Sequence, residues 1–242
     1  MQTIRIIGIE TSSRRGSVAL AEGPNVVAEA EFSTQTQHAR ELLPSLEELY
    51  LQVGWPRGKA DHCYVSIGPG SFTGLRVAVA FARHMALAGA TQIVAVPTLA
   101  VVAENCAAMG PPPSPLAIVL DAKRGQVFAA VFEWRAGAYH AVEAPHLANP
   151  RELIARYDGK IIVTGEGIDY HREAITKSGA SVVDPAYWIP RAANVCRLGR
   201  RLAEQGAFTP ARELIPLYIR RPEAEEVWEN RQAGKETGEA AR

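Results

Sequence analysis

YVSIGPGSFTGLRVAVAFARHM, residues 64–85, is the stretch from which the fold is predicted. The apolar run at 64–67 predicts a buried strand. The Gly-Pro-Gly at 68–70 predicts a tight turn, because glycine adopts dihedral angles that other residues resist. Apolar residues then recur at helical spacing from 72 to 88, so the stretch predicts a strand, a glycine turn and a helix.

The glycine turn supports two interpretations. Backbone N–H groups at the start of a helix can bind an anion, and Ser71 or Thr73 is placed to cap this helix. No lysine follows Gly74, and the G-x-G-x-x-x-G spacing is one residue longer than the dinucleotide fingerprint, so neither common phosphate motif is present. The alternative is that the glycines only let helix and strand pack closely.

The same stretch carries a family resemblance. Residues 68–76, GPGSFTGLR, resemble the motif of the bacterial TsaB family, also called YeaZ, of tRNA threonylcarbamoyladenosine biosynthesis proteins. Four further stretches agree in order, at residues 8–12 (GIETS), 38–44 (HARELLP), 121–128 (DAKRGQVF) and 216–222 (PLYIRRP). The resemblance extends from about residue 4 to about residue 228.

Composition excludes several classes of protein. The chain has 242 residues, 47% of them hydrophobic, and a formal net charge of zero, so it can build real cores but has no general field for RNA or acidic lipid. Its three cysteines are far apart with no CxxC, which favours a reducing cytosol over disulfides or zinc. We expect a cytoplasmic protein without signal peptide or membrane span, since charged residues interrupt the apolar region at 75–103.

The predicted elements occur twice in the order βββαβαβα, before and after a Pro-rich linker at 110–115. We therefore predict an α/β protein with two tandem halves, at 1–110 and 111–228, and a disordered tail at 229–242. Two such halves around a cleft resemble the actin-like, ribonuclease H-like fold of the sugar-kinase and actin ATPase superfamily.

An acidic residue ends the first strand of each half, at Glu10 and Asp121. In the superfamily, such acids and the turns beside them hold a nucleotide, which makes Glu10, Thr11, Ser12 and Asp121 weak candidates for cofactor binding. The residues at 123–124, Lys-Arg, replace the small residues that a phosphate cradle needs. We expect no cofactor on this chain alone, with ATP or ADP bound only in a complex; the alternative is that both acids are solvated turn residues. The Gly-Glu-Gly at 165–167 partly resembles an adenosine motif.

No catalytic or metal-binding constellation is predicted. The resemblance implies a catalytic paralogue, TsaD, with two metal-binding histidines four residues apart on the first helix, whereas His38 stands alone here. The family is accordingly described as lacking the paralogue's active site. The residues for a protease are also missing, despite the glycoprotease-like ancestry of the paralogues.

The first and second long helices are the predicted partner interface, with an apolar stripe and a charged rim. The predicted interface residues are His38, Leu42, Leu46, Phe72, Leu75, Arg76, Val79 and Arg83. The resemblance implies pairing with TsaD through these helices, or with a second copy in its absence. The alternative for each apolar residue is ordinary core packing, and for His38 a polar role at the helix start.

The resemblance implies a non-catalytic subunit for threonylcarbamoyl transfer to N6 of the adenosine beside the anticodon, in tRNAs reading A-starting codons. A small ATPase, TsaE, would be the third partner, and tRNA would bind only through the complex. Arginines in the last third, at 191, 197, 200, 201, 212, 220 and 221, either touch that tRNA or form a solvated face. Two other functions remain open: a free-standing actin-like ATPase or kinase using Glu10 and Asp121, and a homodimeric regulator without a tRNA role.

Overall fold

The computed structural model describes residues 3–32 and 37–220. The first half contains β1 (Arg5–Glu10), β2 (Ser17–Glu22), β3 (Asn25–Glu31), α1 (His38–Val53), β4 (His62–Gly68), α2 (Phe72–Gly89), β5 (Gln92–Pro97) and α3 (Thr98–Asn105). The second half contains β6 (Leu116–Asp121), β7 (Val127–Arg135), β8 (Ala138–Ala148), α4 (Pro150–Ala155), β9 (Ile162–Thr164), α5 (Ile168–Lys177), β10 (Ser181–Val182) and α6 (Ala192–Glu204). The predicted βββαβαβα order is confirmed in both halves.

The two sheets have the same strand order. The first sheet is ordered β3-β2-β1-β4-β5, and the second is ordered β8-β7-β6-β9-β10. In each half the first three strands form an antiparallel meander, and the last two run parallel to the first. This arrangement confirms the predicted fold class, two ribonuclease H-like halves of the actin-like type.

The edge strand β8 is longer than predicted. The sequence favours a strand at 139–143, yet β8 runs from Ala138 to Ala148 and pairs with β7 on both sides of Pro145. An edge strand tolerates a proline because the missing N–H can face away from the neighbouring strand. The sequence favours a third helix over residues 98–109, whereas α3 ends at Asn105 and a single 3-10 turn follows at 106–108.

The last helix of each half packs on the other half's sheet. Helix α3 covers one face of the second sheet, where Leu99 and Val102 share a core with Ile118. Helix α6 covers one face of the first sheet, where Val195 and Cys196 pack near Tyr64. The predicted division near residue 110 therefore separates two sheets but not two independent cores.

Helices α1 and α2 cover the opposite face of the first sheet, and α4 and α5 cover the opposite face of the second. Within the described ranges, no helix has both the length and the apolarity that are needed to cross a membrane.

Residues 207–220, which we call the C-terminal strap, return across the first half. The Thr209 N–H donates to the Ile93 carbonyl at 2.8 Å, and the Leu217 N–H donates to the Ile67 carbonyl at 2.7 Å. The strap ends at Arg220, whose guanidinium hydrogen-bonds Ala122 and Gln126 of the second half. The predicted tail at 229–242 and Arg221 lie outside the described residues.

Candidate functional site

The loop after β1 packs directly on the glycine turn before α2. A Cβ atom at Gly74 would lie 1.8 Å from the Thr11 carbonyl oxygen, and one at Gly70 would lie 2.3 Å from that of Ser12. The Ser71 N–H donates to the Ser12 carbonyl at 2.6 Å, and the Ser71 hydroxyl caps α2 by accepting from the Gly74 N–H at 3.3 Å. These contacts support the packing interpretation of the glycines.

Glu10 lies at the floor of this junction and has no solvent exposure. Its Oε1 atom accepts hydrogen bonds from the backbone N–H of Ser12, at 2.6 Å, and from the Ser12 hydroxyl. Its Oε2 atom has no partner among the described residues. Burial raises the pKa of the Glu10 carboxyl, although the hydrogen bonds from Ser12 and the nearby Ser66 hydroxyl oppose the shift. The interpretation of Glu10 as a solvated turn residue is therefore wrong, because the turn is packed under α2.

Asp121, the matching acid of the second half, is held by its own loop. Its carboxylate lies 2.7 Å from the Lys123 Nζ atom and 3.5 Å from the His171 Nε2 atom. Burial would raise the pKa of this carboxyl, but the hydrogen bonds and charge of Lys123, together with the nearby His171 ring, outweigh burial and lower it. Lys123 has a φ of 61°, a conformation that is uncommon outside glycine.

Side chains from both halves meet across the cleft at Tyr170. The Arg14 guanidinium carbon lies 5.3 Å from the centre of the Tyr170 ring, and the Lys123 Nζ atom lies 5.1 Å from it. Burial raises the pKa of the nearby Glu166 carboxyl to about 6, although the charge and backbone N–H of Arg14 oppose the shift. The two cations that face the cleft here therefore already contact side chains of the protein.

The glycines of the 165–167 motif pack against a strand. A Cβ atom at Gly165 would lie 2.3 Å from the Val119 carbonyl oxygen, and one at Gly167 would lie 2.9 Å from it. The Gly167 N–H donates to the same carbonyl at 3.0 Å. These glycines are thus explained by the close approach of the loop before α5 to β6.

His38 is buried rather than exposed at the helix start. Its Nε2 atom lies 2.9 Å from the Ser13 carbonyl oxygen, and its ring packs beside Phe32 with ring centres 5.7 Å apart. A Cβ atom at Gly16 would lie 2.7 Å from the Nδ1 atom of His38. His38 therefore fixes the β1–β2 loop against α1. Among residues 3–32 and 37–220, no three metal-ligating side chains come together.

A cavity of about 1360 Å³ lies between the halves. Its wall includes basic and aromatic side chains, among them Arg14, Lys123, Phe128, Tyr170 and Arg220. Ser12 and Asp121 also line it, so the structure brings two of the four predicted cofactor-binding residues to the cleft surface. Thr11 instead donates from its hydroxyl to the Gly74 carbonyl at 2.8 Å.

Four predicted interface residues lie in the protein's own core. Leu42, Leu46, Leu75 and Val79 are at most 5% exposed. Leu42, Leu46 and Val79 belong to the core that covers the first sheet, and Leu75 packs beside Gly68, so for these four the core-packing alternative is correct.

Among the apolar residues that α1 and α2 leave in solvent, sequence reasoning included Phe72 but missed three leucines. Leu43, Leu51 and Leu87 are 57%, 67% and 82% exposed, and Phe72 is also exposed. Helices α1 and α2 pack beside each other, and we call these four residues the α1–α2 face. The three leucines lie off the main apolar stripe of their helices. Apolar residues at such positions are the sequence signal for this surface, and the prediction followed only the main stripe.

The arginines of α6, and Arg191 directly before it, are engaged within the chain. Arg191, Arg200 and Arg201 form ion pairs with Glu29, Glu204 and Glu104, respectively. Arg197 donates to the side chain of Asn194. This pattern supports the solvated-face alternative for α6.

Comparison with known proteins gives the family. The family model of TsaD, described as tRNA N6-adenosine threonylcarbamoyltransferase, matches residues 26–228. The tRNA threonylcarbamoyladenosine biosynthesis protein TsaB of Bacillus subtilis is 27% identical over 92% of this chain and 97% of that protein. TsaB of Escherichia coli is 25% identical over 90% of this chain and 95% of that protein.

Solved structures show the same fold. YeaZ from Pseudomonas aeruginosa has a TM-score of 0.77 at 22% identity and covers 90% of this chain and 100% of its own. Another Pseudomonas aeruginosa structure, described as an uncharacterized protein with similarity to peptidase YEAZ, has a TM-score of 0.79 at 21% identity. The match covers 91% of this chain and 100% of that one. The predicted resemblance to TsaB and YeaZ is confirmed. The chain belongs to the family whose model is described as TsaD, tRNA N6-adenosine threonylcarbamoyltransferase.

Proposed function

We propose that this chain is a non-catalytic subunit in the synthesis of N6-threonylcarbamoyladenosine in tRNA, and that it pairs with the catalytic paralogue TsaD. The similarity to TsaB over about nine-tenths of the chain supports the pathway. The small ATPase TsaE is the third subunit of this proposal, tRNA binds only through the complex, and the site of assembly is the cytoplasm. A homodimer forms in the absence of the paralogue.

The observation that carries the pairing is the α1–α2 face. A leucine that is 82% exposed, Leu87, lies on the helix that starts at the family motif, and two further exposed leucines lie on the neighbouring α1. Burying apolar surface contributes about 25 cal/mol per Å² to association, before the costs of binding are subtracted. Exposed leucines together with arginines on the same helix, Arg76 and Arg83, match the composition of protein–protein interfaces.

The cleft supports a structural role for the predicted cofactor residues. Glu10 is sealed under α2 with a raised pKa, and the Asp121 carboxylate is engaged by Lys123 and His171. A nucleotide-bound metal would have to displace these contacts. The free-standing ATPase or kinase remains the second candidate, since the cavity of about 1360 Å³ can hold a nucleotide.

Light scattering after size-exclusion chromatography tests the pairing. The chain is mixed with TsaD from the same organism, as wild type and as Leu43→Glu and Leu87→Glu. We expect a one-to-one complex that each variant weakens at least tenfold, because a buried glutamate must lose its hydration. The control is Val142→Glu, which adds the same charge at an exposed apolar residue on β8 of the second half.

The contrary results are equally clear. A wild-type chain that forms no complex with TsaD, or face variants that bind as well as the control, would overturn the pairing. ATP binding by the isolated chain that is lost in Asp121→Asn would favour the second candidate.

A further inference from the structure

Two guanidinium groups on α2 have no acidic partner among the residues that the structure describes. Arg76 donates from Nε to the Tyr218 hydroxyl at 3.3 Å, and its guanidinium carbon lies 3.8 Å from the centre of the Phe72 ring. Arg83 donates from Nη2 to the Arg212 carbonyl at a long 3.4 Å. Among residues 3–32 and 37–220, no ion pair within 4.0 Å is formed by either arginine.

Of the two arginines, Arg83 has the poorer hydrogen bonding. Its side chain is half-buried, and its Nε atom is buried without a hydrogen-bond partner in the described part of the chain. A buried cationic donor without a partner is unfavourable. Arg201, on α6, is a contrast: this partly buried arginine has an acidic partner, since its guanidinium lies 2.7 Å from the Glu104 carboxylate.

The two arginines flank an apolar groove of about 420 Å³ between α2 and the C-terminal strap. They lie seven residues apart, which is about 10 Å along a helix. The exposed Ala80 forms the helical side of the groove above the buried Val79, and Ile215 and Tyr218 form the strap side. Ile215 is 66% exposed, so the groove continues into an apolar surface that no described residue covers.

We propose that this groove receives an acidic segment of the partner subunit, with a carboxylate bound by Arg76 and Arg83 and apolar neighbours seated on Ile215. The inference rests on the proposed function, because it assumes the same partner. The groove and the exposed Leu87 of the α1–α2 face both lie on α2, so one partner could contact both. Guanidinium groups bind carboxylates through paired, charge-assisted hydrogen bonds, and the apolar groove walls favour a polypeptide over a nucleic acid strand. The strap is then part of the interface rather than only a tie between the halves.

The test is the affinity of the full-length chain for TsaD at 50 mM and 500 mM NaCl, measured by biolayer interferometry. Arg76→Met and Arg83→Met keep the apolar stems and remove the charge. We expect each to weaken binding at least tenfold at low salt, and the salt dependence to become shallower, because a screened ion pair has been lost. Arg83→Lys should bind with intermediate affinity. The control is Arg200→Met, which removes an arginine that pairs with Glu204 on α6.

Several outcomes would overturn the inference. If both methionine variants bind TsaD within twofold of wild type while Leu87→Glu does not bind, the groove is empty in the complex and the proposed function stands. If wild type and TsaD form no complex, both proposals fail. If the variants weaken only self-association, the occupant is a second copy, and if they weaken only tRNA binding, it is a phosphate.

The chain's own acidic residues at 223, 225 and 226 are a further occupant to exclude. A full-length variant with glutamine at these three positions should bind TsaD as wild type does. If it reproduces the loss seen in Arg83→Met, the partner's carboxylate is not the ligand. Thermal melts of all variants confirm that each is folded before its affinity is compared.

Discussion

The loop after β1 and the loop after β6 occupy equivalent places in the two halves, yet their acids are held in opposite ways. Glu10 is buried with a raised pKa, whereas the pKa of Asp121 is lowered by Lys123 and His171. The first loop packs closely on the start of α2 because Gly70 and Gly74 have no side chains there. The second loop turns at Lys123, whose backbone is in the left-handed region. A duplicated topology has thus kept the positions of the acids but given them different structural roles.

The largest expected difference is between glycines beside the two loops. In Gly74→Ala the new Cβ atom would lie 1.8 Å from the Thr11 carbonyl oxygen, so backbone must move. We expect a loss of about 3 kcal/mol or more in the free energy of unfolding, as for severe overpacking. In Gly125→Ala the Cβ atom meets open space and only the φ of +73° is unfavourable, which costs about 1–2 kcal/mol. Urea unfolding curves measure both, and equal losses would contradict the packing interpretation.

The second difference is in the pH dependence of stability. The pKa of Glu166 is about 6 in the folded protein, above its ordinary 4.5, so folding disfavours the charged carboxylate. Relative to Glu166→Gln, the wild type should therefore lose about 2 kcal/mol of stability as pH rises from 4 to 7. Relative to Glu10→Gln, the wild type should also lose stability as pH rises, because the pKa of Glu10 is raised as well. Unfolding at several pH values tests this, and parallel profiles for wild type and Glu166→Gln would contradict it.

Asp121 should respond with the opposite sign and a smaller effect. Its folded pKa lies below the ordinary 3.8, so its contribution is present above pH 3.8 and is lost as pH falls through the folded pKa. Asp121→Asn should consequently be less stable than wild type near pH 6, and the gap should close in acid. Lys123→Met is the matched variant, because it removes the ion-pair partner and should give the same profile. A gap that widens in acid would refute this assignment.

Local spacing in the sequence predicts the elements of this fold, but not which elements pack against each other. Helical and alternating spacing predicted the strands and helices, and a repeated order predicted two halves. The apolar stripe of α6 predicts a buried face, but only long-range topology determines that the first sheet covers it. Burial of Glu10 likewise depends on Gly70 and Gly74, which lie about 60 residues away in the sequence. Leu75 and Val79 were predicted at an interface because a stripe alone does not distinguish core from partner.

The smallest expected effect concerns Tyr170, which joins the two loops. Tyr170→Leu removes the ring that lies near Arg14 and Lys123. At an exposed site each such cation–π contact contributes about 0.5–1 kcal/mol, so we expect a loss of about 1 kcal/mol in unfolding free energy. Tyr170→Phe keeps the ring and should match wild type. Equal losses in the two variants would show that the hydroxyl, not the ring, contributes.

Reconstituted tRNA modification tests the central claim most directly, with TsaD, TsaE and this chain supplied as wild type or variant. Mass spectrometry of the digested tRNA measures threonylcarbamoyladenosine. We predict that the cleft double variant Glu10→Gln/Asp121→Asn supports modification within about twofold of wild type, whereas the face variant Leu87→Glu loses most of it. Loss of modification in the folded cleft variant with full activity in Leu87→Glu would contradict the account and return function to the cleft.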